Sequence, residues 1–310
     1  MGEVDEYLDK LKERFSKIDP TRYYLAYSGG KDSHLLYWLI KDYLKIEGVT
    51  VMGIITRLEH KEIADRIRKN CDVVMMSKLE PMQIKELYGS PCFSKVQDEM
   101  IKRYQAGSRT DNTMKFIMGV NPIFKISKKA RQLLLADKLP KISSNCCKYL
   151  KREPANRFIK ETRLKPILGV RGDESKTRRA QYRGCFTKNG TFTPIWDLDD
   201  RLEKAIYDKY HIEIPKIYKY VERTGCMGCP YAKRCISDIG NIEKELLLAN
   251  DELFVFACRY FEESYKVLGV DVSKIEQQRK ERKVEDGLTT NGFSSDKNKK
   301  YNKIGGGKDG

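Results

Sequence analysis

Apolar segments alternate with amphipathic segments along the first 80 residues of the chain. Short runs rich in β-branched and aromatic residues predict buried strands at 23–27, 49–56 and 72–76. Apolar residues that recur at helical spacing predict helices at 4–18, 35–46 and 59–69. Because strands that alternate with helices form parallel sheets covered on both faces, we predict an α/β fold with a doubly wound parallel sheet.

The pattern after residue 80 predicts mostly helix. Helices are expected at 81–88, 94–105, 127–137, 198–210 and 240–267, with a loop at 107–112 and short strands at 165–170 and 194–196. Apolar periodicity is lost from about residue 283, which is typical of a disordered tail. We therefore expect a leading helix (1–20), an α/β domain (21–240), a C-terminal helical segment (241–282) and a disordered tail (283–310).

The chain of 310 residues carries a formal net charge of +16. Such a charge favours polyanionic partners, namely nucleic acid or nucleotides, although a solvated lysine-rich surface is an equally good explanation. Basic residues are densest across 148–183. Apolar runs are too short to span a membrane, and the acidic N-terminus lacks the pattern of a secretory signal. We therefore expect a cytoplasmic protein with no membrane partner.

The segment Ser28-Gly29-Gly30-Lys31-Asp32-Ser33 joins the first predicted strand to a helix. Glycines at such a junction let the backbone approach a phosphate, and the first helical turn supplies N–H groups and a favourable dipole. Ser28 and Ser33 add hydroxyl donors, and Lys31 adds a cation. All six residues are candidate nucleotide-binding residues, as is Thr56 at the end of the second strand. The alternative is an ordinary glycine turn.

Nine cysteines in such a chain favour metal or redox use over a disulfide framework. Cys226 and Cys229 form a C-x-x-C, and Cys146 and Cys147 are adjacent. Four thiolates from two segments suit a [4Fe–4S] cluster or tetrahedral zinc, and the adjacent pair fits a compact zinc site awkwardly. Cys235 is either an alternative ligand or a free thiol.

A second candidate phosphate site follows the strand predicted at 165–170. Arg171 and Arg178 can each grip phosphate oxygens through two N–H groups. Glu174 could hold Arg171 in place or help to hold Mg²⁺. A solvated charged loop is the alternative.

These motifs together resemble the phosphoadenosine phosphosulfate (PAPS) reductase family of the adenine nucleotide α-hydrolase superfamily. The Ser28–Ser33 segment looks like the pyrophosphate loop (PP-loop) of that superfamily, and Arg171–Arg178 is similar to the second phosphate-binding motif of the family. Pro194-Ile195-Trp196 resembles its "PI-W" segment. The cysteine layout resembles that of adenylylsulfate (APS) reductases, which implies that Cys146, Cys147, Cys226 and Cys229 ligate a [4Fe–4S] cluster in a domain with a helical, cluster-binding extension.

The chain departs from the reductases of this family at the C-terminus. Those enzymes use a cysteine near a Glu-Cys-Gly motif, whereas the last cysteine here, Cys258, lies in an apolar segment. The Lys31-Asp32 pair is typical of members that cleave ATP, in which the lysine would neutralise phosphate charge and the aspartate would help to place Mg²⁺. The expected catalytic residues are Lys31, Asp32, Arg171 and Arg178.

The resemblance thus implies an ATP-dependent, iron–sulfur enzyme that transfers sulfur to DNA or RNA. It also implies a protein that donates sulfur or electrons, and it is compatible with a homo-oligomer. Two alternatives stay open. One is an APS or PAPS reductase that uses an unusual thiol such as Cys235, and the other is a nucleotide- and cluster-binding subunit or sensor without turnover.

Overall fold

The computed structural model describes residues 2–121, 125–172, 176–232 and 239–285. Its central sheet consists of β1 (Tyr23–Tyr27), β2 (Thr50–Ile55), β3 (Val73–Met76) and β4 (Lys165–Ile167). The strands are all parallel, and they lie in the order β3-β2-β1-β4. The predicted α/β class and parallel sheet are therefore confirmed.

Helices surround this sheet. They are α1 (Glu3–Phe15), α2 (Lys31–Trp38), α3 (Lys61–Asn70), α4 (Pro81–Tyr88), α5 (Lys95–Gln105), α6 (Asp111–Ile117), α7 (Lys128–Leu135), α8 (Asn145–Cys147), α9 (Glu153–Thr162), α10 (Lys176–Gln181), α11 (Asp200–Tyr210), α12 (Gly240–Leu248), α13 (Asp251–Leu268) and α14 (Val272–Glu285). A π-helical turn, Lys148–Arg152, joins α8 to α9. No helix in the described ranges is long and apolar enough to cross a membrane.

The sheet is covered on both faces, as the alternation along β1 shows. Leu25 belongs to the main hydrophobic core, together with Leu35 and Leu36 of α2. Tyr24 points to the other face and packs edge-on against Phe158 of α9, with ring centroids 4.9 Å apart. Successive residues of a strand point to opposite faces, so a strand buried on both sides must be apolar throughout.

Several predicted boundaries are wrong, mostly because capping and tertiary contacts outweigh local propensity. The helix predicted at 35–46 begins at Lys31 and continues as a π-helical turn, Leu39–Tyr43. The segment 240–267 is two helices, because the Asn250 side chain caps α13 by accepting the N–H of Leu253 at 2.9 Å. The loop predicted at 107–112 contains the start of α6, at Asp111. The strand predicted at 165–170 ends at Ile167. The last helix extends to Glu285, three residues beyond the predicted end of the helical segment at 282.

The segment 194–196 is not a strand but a turn held against the first helix. The guanidinium of Arg14 donates to the carbonyl of Pro194 at 2.5 Å and to both carboxylate oxygens of Asp197 at 2.6 Å. The Tyr7 hydroxyl donates to the same carboxylate at 3.0 Å. These contacts and the ion pair hold the pKa of Asp197 well below its usual value despite partial burial. The "PI-W" segment therefore anchors α1 to the α/β fold.

The chain order of the strands marks where a ligand is expected to bind. β1, β2 and β3 follow one another outwards, and the chain then returns to place β4 on the other side of β1. In open parallel sheets, ligands bind beyond the carboxyl ends of the strands at such a switch point. Here the loop after β1 and the segment after β4 meet at that point, since a Cβ on Gly169 would lie 2.9 Å from the carbonyl oxygen of Asp32.

Candidate functional site

The loop 28–30 has the backbone conformation of a tight turn that opens a helix. Gly29 has a φ of +73°, and a Cβ there would lie 2.9 Å from the carbonyl oxygen of Ile63. The Ser33 hydroxyl donates to the Gly30 carbonyl at 2.9 Å, and it accepts the N–H of Ser28 at 3.2 Å. The serines of the motif therefore hold the loop closed, and only glycine fits at its tightest point.

Two tyrosines that the sequence analysis did not identify as site residues fasten this loop. The hydroxyl of Tyr218 accepts the N–H of Lys31 at 3.1 Å, and a Cβ on Gly30 would lie 2.8 Å from that oxygen. The Tyr207 hydroxyl donates to the Lys31 carbonyl at 2.6 Å. The Tyr218 hydroxyl thus takes the hydrogen bond of one N–H group in the first turn of α2, where an anion would bind.

The charged residues of the two predicted phosphate motifs form one network. Arg171 is buried, and its Nε donates to Asp32 at 2.5 Å. Its other guanidinium nitrogens lie 2.8 Å from Asp200 and 3.3 Å from Glu203. The Lys31 ammonium lies 2.8 Å from Glu203. Tertiary structure therefore brings Lys31, Asp32 and Arg171 together, as both motifs require.

Asp200 and Glu203 are the members of this network that sequence reasoning missed. In the sequence they appear only as two acidic residues in the first turn of α11. Acidic residues are common there because the helix dipole favours negative charge at the N-terminus, so the pattern does not indicate a binding site. Glu203 is only 3 % exposed. Burial, with the nearby Asp32 carboxylate, raises its pKa to about 7. Although burial opposes it, the attraction of Asp32 and Glu203 raises the pKa of Arg171 above its usual value.

The remaining predicted site residues are Arg178, Glu174, Cys235 and Thr56. Arg178 is half-buried and lies on the short helix α10, seven residues after Arg171. Glu174 and Cys235 lie outside the described residues. Thr56 is buried, and its N–H and hydroxyl donate to one oxygen of Glu59 at 2.9 Å and 2.5 Å. The Thr56 hydroxyl also lies 3.8 Å from the sulfur of Cys226, so this residue connects the end of β2 to the cysteines.

A cavity of about 290 Å³ extends from Ser28 of the glycine loop to Thr56, which lies next to Cys226. Ser28, Thr224 and Gly225 line its wall near the loop, and Thr56 and Lys151 line it near the cysteines. One carboxylate oxygen of Glu59, which also lines the cavity, is buried and has no hydrogen-bond partner among the described residues. The cavity thus offers a hydroxyl, a carboxylate and a cation close to the thiols.

The four predicted cluster ligands come from two distant segments and lie close enough to influence one another's ionisation. Cys146 and Cys147 form the first turn of the α8–α9 helix, and the other two flank a loop. A hydrogen bond from Cys146 and the charges of Lys95 and Lys151 lower the pKa of Cys147 to about 6. Burial and the neighbouring thiols raise the pKa of Cys229. Among the described residues, no group of three or more His, Cys, Asp or Glu side chains is arranged so that it could hold a metal ion.

The C-terminal helices hold the C-x-x-C loop in place. The N–H of Gly228 donates to the buried carboxylate of Glu245 on α12 at 2.8 Å. The hydroxyl of Tyr265 on α13 donates to the Gly228 carbonyl at 2.6 Å. The N–H of Met227 donates to the carbonyl of Leu58 at 2.7 Å, which ties the loop to the segment after β2. Four thiols are the donor set that a [4Fe–4S] cluster takes, but the described side chains are not arranged as a metal site.

A Gly228→Ala variant is expected to be destabilised by about 2–4 kcal/mol. Gly228 has a φ of +66°, and an added Cβ would lie 2.3 Å from the Tyr265 hydroxyl and 2.8 Å from a methyl carbon of Leu246. Urea denaturation measures the effect. Gly225→Ala is the matched control, because its Cβ would meet nothing within 4 Å. Equal stabilities of the two variants would contradict the packing argument.

Three comparisons with known proteins add little to this geometry. No protein-family model matches the chain, and no curated protein matches it significantly. Among solved structures, it is similar to an NH3-dependent NAD synthetase from Campylobacter jejuni, solved in complex with a nitrate ion. The two chains share 15% identity over 85% of this chain and 94% of the other, with a TM-score of 0.32.

Proposed function

We propose that this protein is an ATP-dependent sulfur-transfer enzyme of the PAPS reductase family, with a [4Fe–4S] cluster and a nucleic-acid substrate. One observation carries the proposal. A single cavity connects the glycine loop, where a nucleotide would bind, to Thr56, whose hydroxyl lies 3.8 Å from the Cys226 sulfur. A substrate in this cavity would contact Ser28 of the glycine loop at one end and Thr56, the neighbour of Cys226, at the other.

The charge network suits cleavage of ATP between its α- and β-phosphates. Lys31 and Arg171 are the cations that would neutralise the charge that develops on pyrophosphate. In the described structure carboxylates satisfy both, so phosphates would have to replace Asp200 and Glu203. Mg²⁺ prefers carboxylate oxygens, and it would favour this exchange by binding the carboxylates that the cations release. Asp32, with Asp200 and Glu203, would hold the ion.

The proposed first step transfers AMP to an oxygen of the substrate. A substrate oxygen attacks the α-phosphorus, its proton passes to solvent or to a carboxylate, and pyrophosphate leaves. Hydrosulfide from a donor protein then displaces AMP, so that one C–S or P–S bond replaces one C–O or P–O bond without net oxidation. Cys146, Cys147, Cys226 and Cys229 would hold the cluster, which when bound offers a site where sulfur can be held or an electron exchanged.

A row of exposed cations supports a polyanionic substrate. Lys148, Arg152, Lys160 and Arg163 are exposed at roughly helical spacing along the helix that begins with the cysteines, and none has an ion-pair partner in the described parts of the chain. Many other exposed lysines do have one, such as Lys61 with Asp65 and Lys266 with Glu262. Unneutralised cations on one helix face favour contact with a phosphate backbone.

The test is pyrophosphate release from ATP–Mg²⁺ by anaerobically purified protein, with and without duplex DNA or RNA. Release that rises with nucleic acid is the expected result. Arg152→Glu/Lys160→Glu/Arg163→Glu should abolish that rise, whereas Lys12→Glu/Lys128→Glu/Lys129→Glu, with the same change in net charge, should keep it. Sulfite from APS or PAPS without ATP would overturn the proposal in favour of a reductase. Tight nucleotide binding without turnover would overturn it in favour of a binding subunit.

A further inference from the structure

A second cavity, of about 790 Å³, lies against a different face of α3 from the cavity described above. Ile63 and Ile67 line the first cavity, whereas Arg66 and Lys69 line the second, together with residues of α2 and of the segment 213–220. Among the described residues, none lines both cavities, and none of 28–33 lines the second. A cavity of this size is typical of small-molecule sites, and the proposed function leaves it unused.

A chain of hydrogen bonds fixes the position of a hydrogen on the His34 ring, which lines the second cavity from α2. The Asn70 side chain donates to the Tyr27 hydroxyl oxygen at 2.8 Å, and that hydroxyl lies 3.0 Å from Nδ1 of His34. Since no other acceptor for the Tyr27 hydroxyl lies among the described residues, its hydrogen points to Nδ1. The neutral ring then carries its own hydrogen on Nε2, and a protonated ring carries one there as well. His34 therefore offers an Nε2–H donor to the cavity.

Three cations that line the second cavity have no carboxylate partner. Arg66, Lys69 and Lys216 form no ion pair in the parts of the chain that the structure describes. One nitrogen of the Arg66 guanidinium donates to the carbonyl of Glu213 at 3.1 Å. Its Nε is buried and has no hydrogen-bond partner among the described residues. Because a buried donor without an acceptor is costly, this arrangement favours an acceptor that a ligand supplies.

The acidic residues that line the second cavity do not neutralise those cations. The Glu62 carboxylate accepts the N–H of Lys216 at 2.8 Å, and Asp65 forms an ion pair with Lys61 at 2.8 Å. Glu213 is the remaining carboxylate among the described lining residues, and it is exposed. Three unpaired cations and one imidazole N–H thus share the cavity with a single uncommitted carboxylate. This balance favours an anionic ligand.

We propose that the second cavity binds a small molecule that carries a phosphate group, held by Arg66, Lys69 and the Nε2–H of His34. A phosphate accepts hydrogen bonds from several donors at once, and a guanidinium matches the geometry of its oxygens. Tyr220 lines the same cavity and is 62% exposed, so its ring is available to contact the rest of the ligand. This site is separate from the glycine loop, and it does not depend on the proposed function.

The test follows the ring nitrogen NMR signals of histidine-labelled protein during titration with inorganic phosphate and with ribose 5-phosphate. The chain has three histidines, so the signals of His34 can be assigned by substitution of the other two. In the free protein, His34 should show the Nε2–H form of the ring. Both phosphates should shift its signals saturably, whereas ribose, which lacks the phosphate, should leave them unchanged.

Charge-matched variants of α3 connect this shift to the proposed ligands. Arg66→Gln/Lys69→Gln should raise the half-saturating concentration of phosphate at least roughly 10-fold, because it removes two charged donors. Lys61→Gln/Arg68→Gln removes two cations from the same helix, but both already lie close to Asp65, at 2.8 Å and 3.1 Å. This control should bind phosphate like the parent protein.

Two further variants keep the test independent of folding. Lys69→Gln/Lys216→Gln changes only exposed side chains and should also weaken phosphate binding, whereas Glu213→Gln should strengthen it. An Nδ1–H form of His34, or equal half-saturating concentrations in the two α3 variants, would overturn the proposal. A shift caused by single-stranded RNA but by neither small phosphate would overturn it in favour of a nucleic-acid surface. None of these results changes pyrophosphate release, so the proposed function stands or fails separately.

Discussion

An Arg171→Ala variant is expected to lose about 3–5 kcal/mol of unfolding free energy, and the proposed function predicts that it also loses all nucleotide-dependent pyrophosphate release. The Arg171 side chain is 4% exposed, and it contacts Asp32, Asp200 and Glu203. Without it, the buried Glu203 keeps its contact with Lys31 and stays beside the Asp32 carboxylate, and burial and that carboxylate raise its pKa. Leaving a buried charge without its partner is one of the few changes that destabilises a protein this strongly.

Matched variants isolate the reason for this loss. Arg171→Ala/Glu203→Gln should recover part of the stability, because the amide removes the repulsion with Asp32. Arg171→Lys keeps the charge, but it cannot make the forked contacts with three carboxylates, so it should fall between the parent and the alanine variant. Urea denaturation measures all four proteins. A loss below about 1 kcal/mol in Arg171→Ala would show that the network is solvated and weak.

The same network predicts a pH dependence of known sign. The pKa of Glu203 is about 7 in the folded protein, against 4.5 for an ordinary glutamate. The folded state thus holds this proton more tightly than the unfolded chain does. The stability that Glu203 contributes is therefore complete below pH 4.5, and it is lost as the pH rises to about 7. Glu203→Gln should flatten the stability profile over this window.

If the proposed function is right, the anaerobically purified protein contains iron and absorbs visible light, and a Cys226→Ser variant loses both. Cys226 lies next to Thr56 and interacts electrostatically with Cys147 and Lys151. Removal of one thiolate ligand from a four-cysteine site takes away a quarter of its bonds to the cluster, and changes even in the surrounding partners cost about 10–100-fold in affinity. Iron content per chain and the visible spectrum measure the outcome.

Cys258→Ser is the matched control for this experiment. Cys258 is a half-buried cysteine on α13 that belongs to neither cysteine motif, and burial raises the pKa of its thiol to about 11. Its substitution should leave the iron content unchanged. Full retention of iron by Cys226→Ser would remove this residue from the set of ligands, and loss of iron from both variants would indicate unfolding rather than ligation.

Sequence patterns predicted the elements whose signal is local. The strand 23–27 and the helix 81–88 match β1 and α4 to the residue. β1 is apolar throughout because both of its faces are buried, and α4 starts at Pro81, which suits the first turn of a helix. The helix 145–162 escaped prediction because its basic, π-distorted first half lacks a regular apolar stripe.

By itself, the sequence determined the order of strands and helices over the first 80 residues and the glycine loop between β1 and α2. Those features depend on neighbours along the chain. Only the tertiary structure decided which residues form ion pairs with the charged side chains of the loop, since Glu203 is separated from Lys31 by 172 positions. It also decided that the Tyr218 and Tyr207 hydroxyls fasten the backbone of Lys31. Contacts between segments so far apart depend on how helices pack on the sheet, and no local pattern encodes that packing.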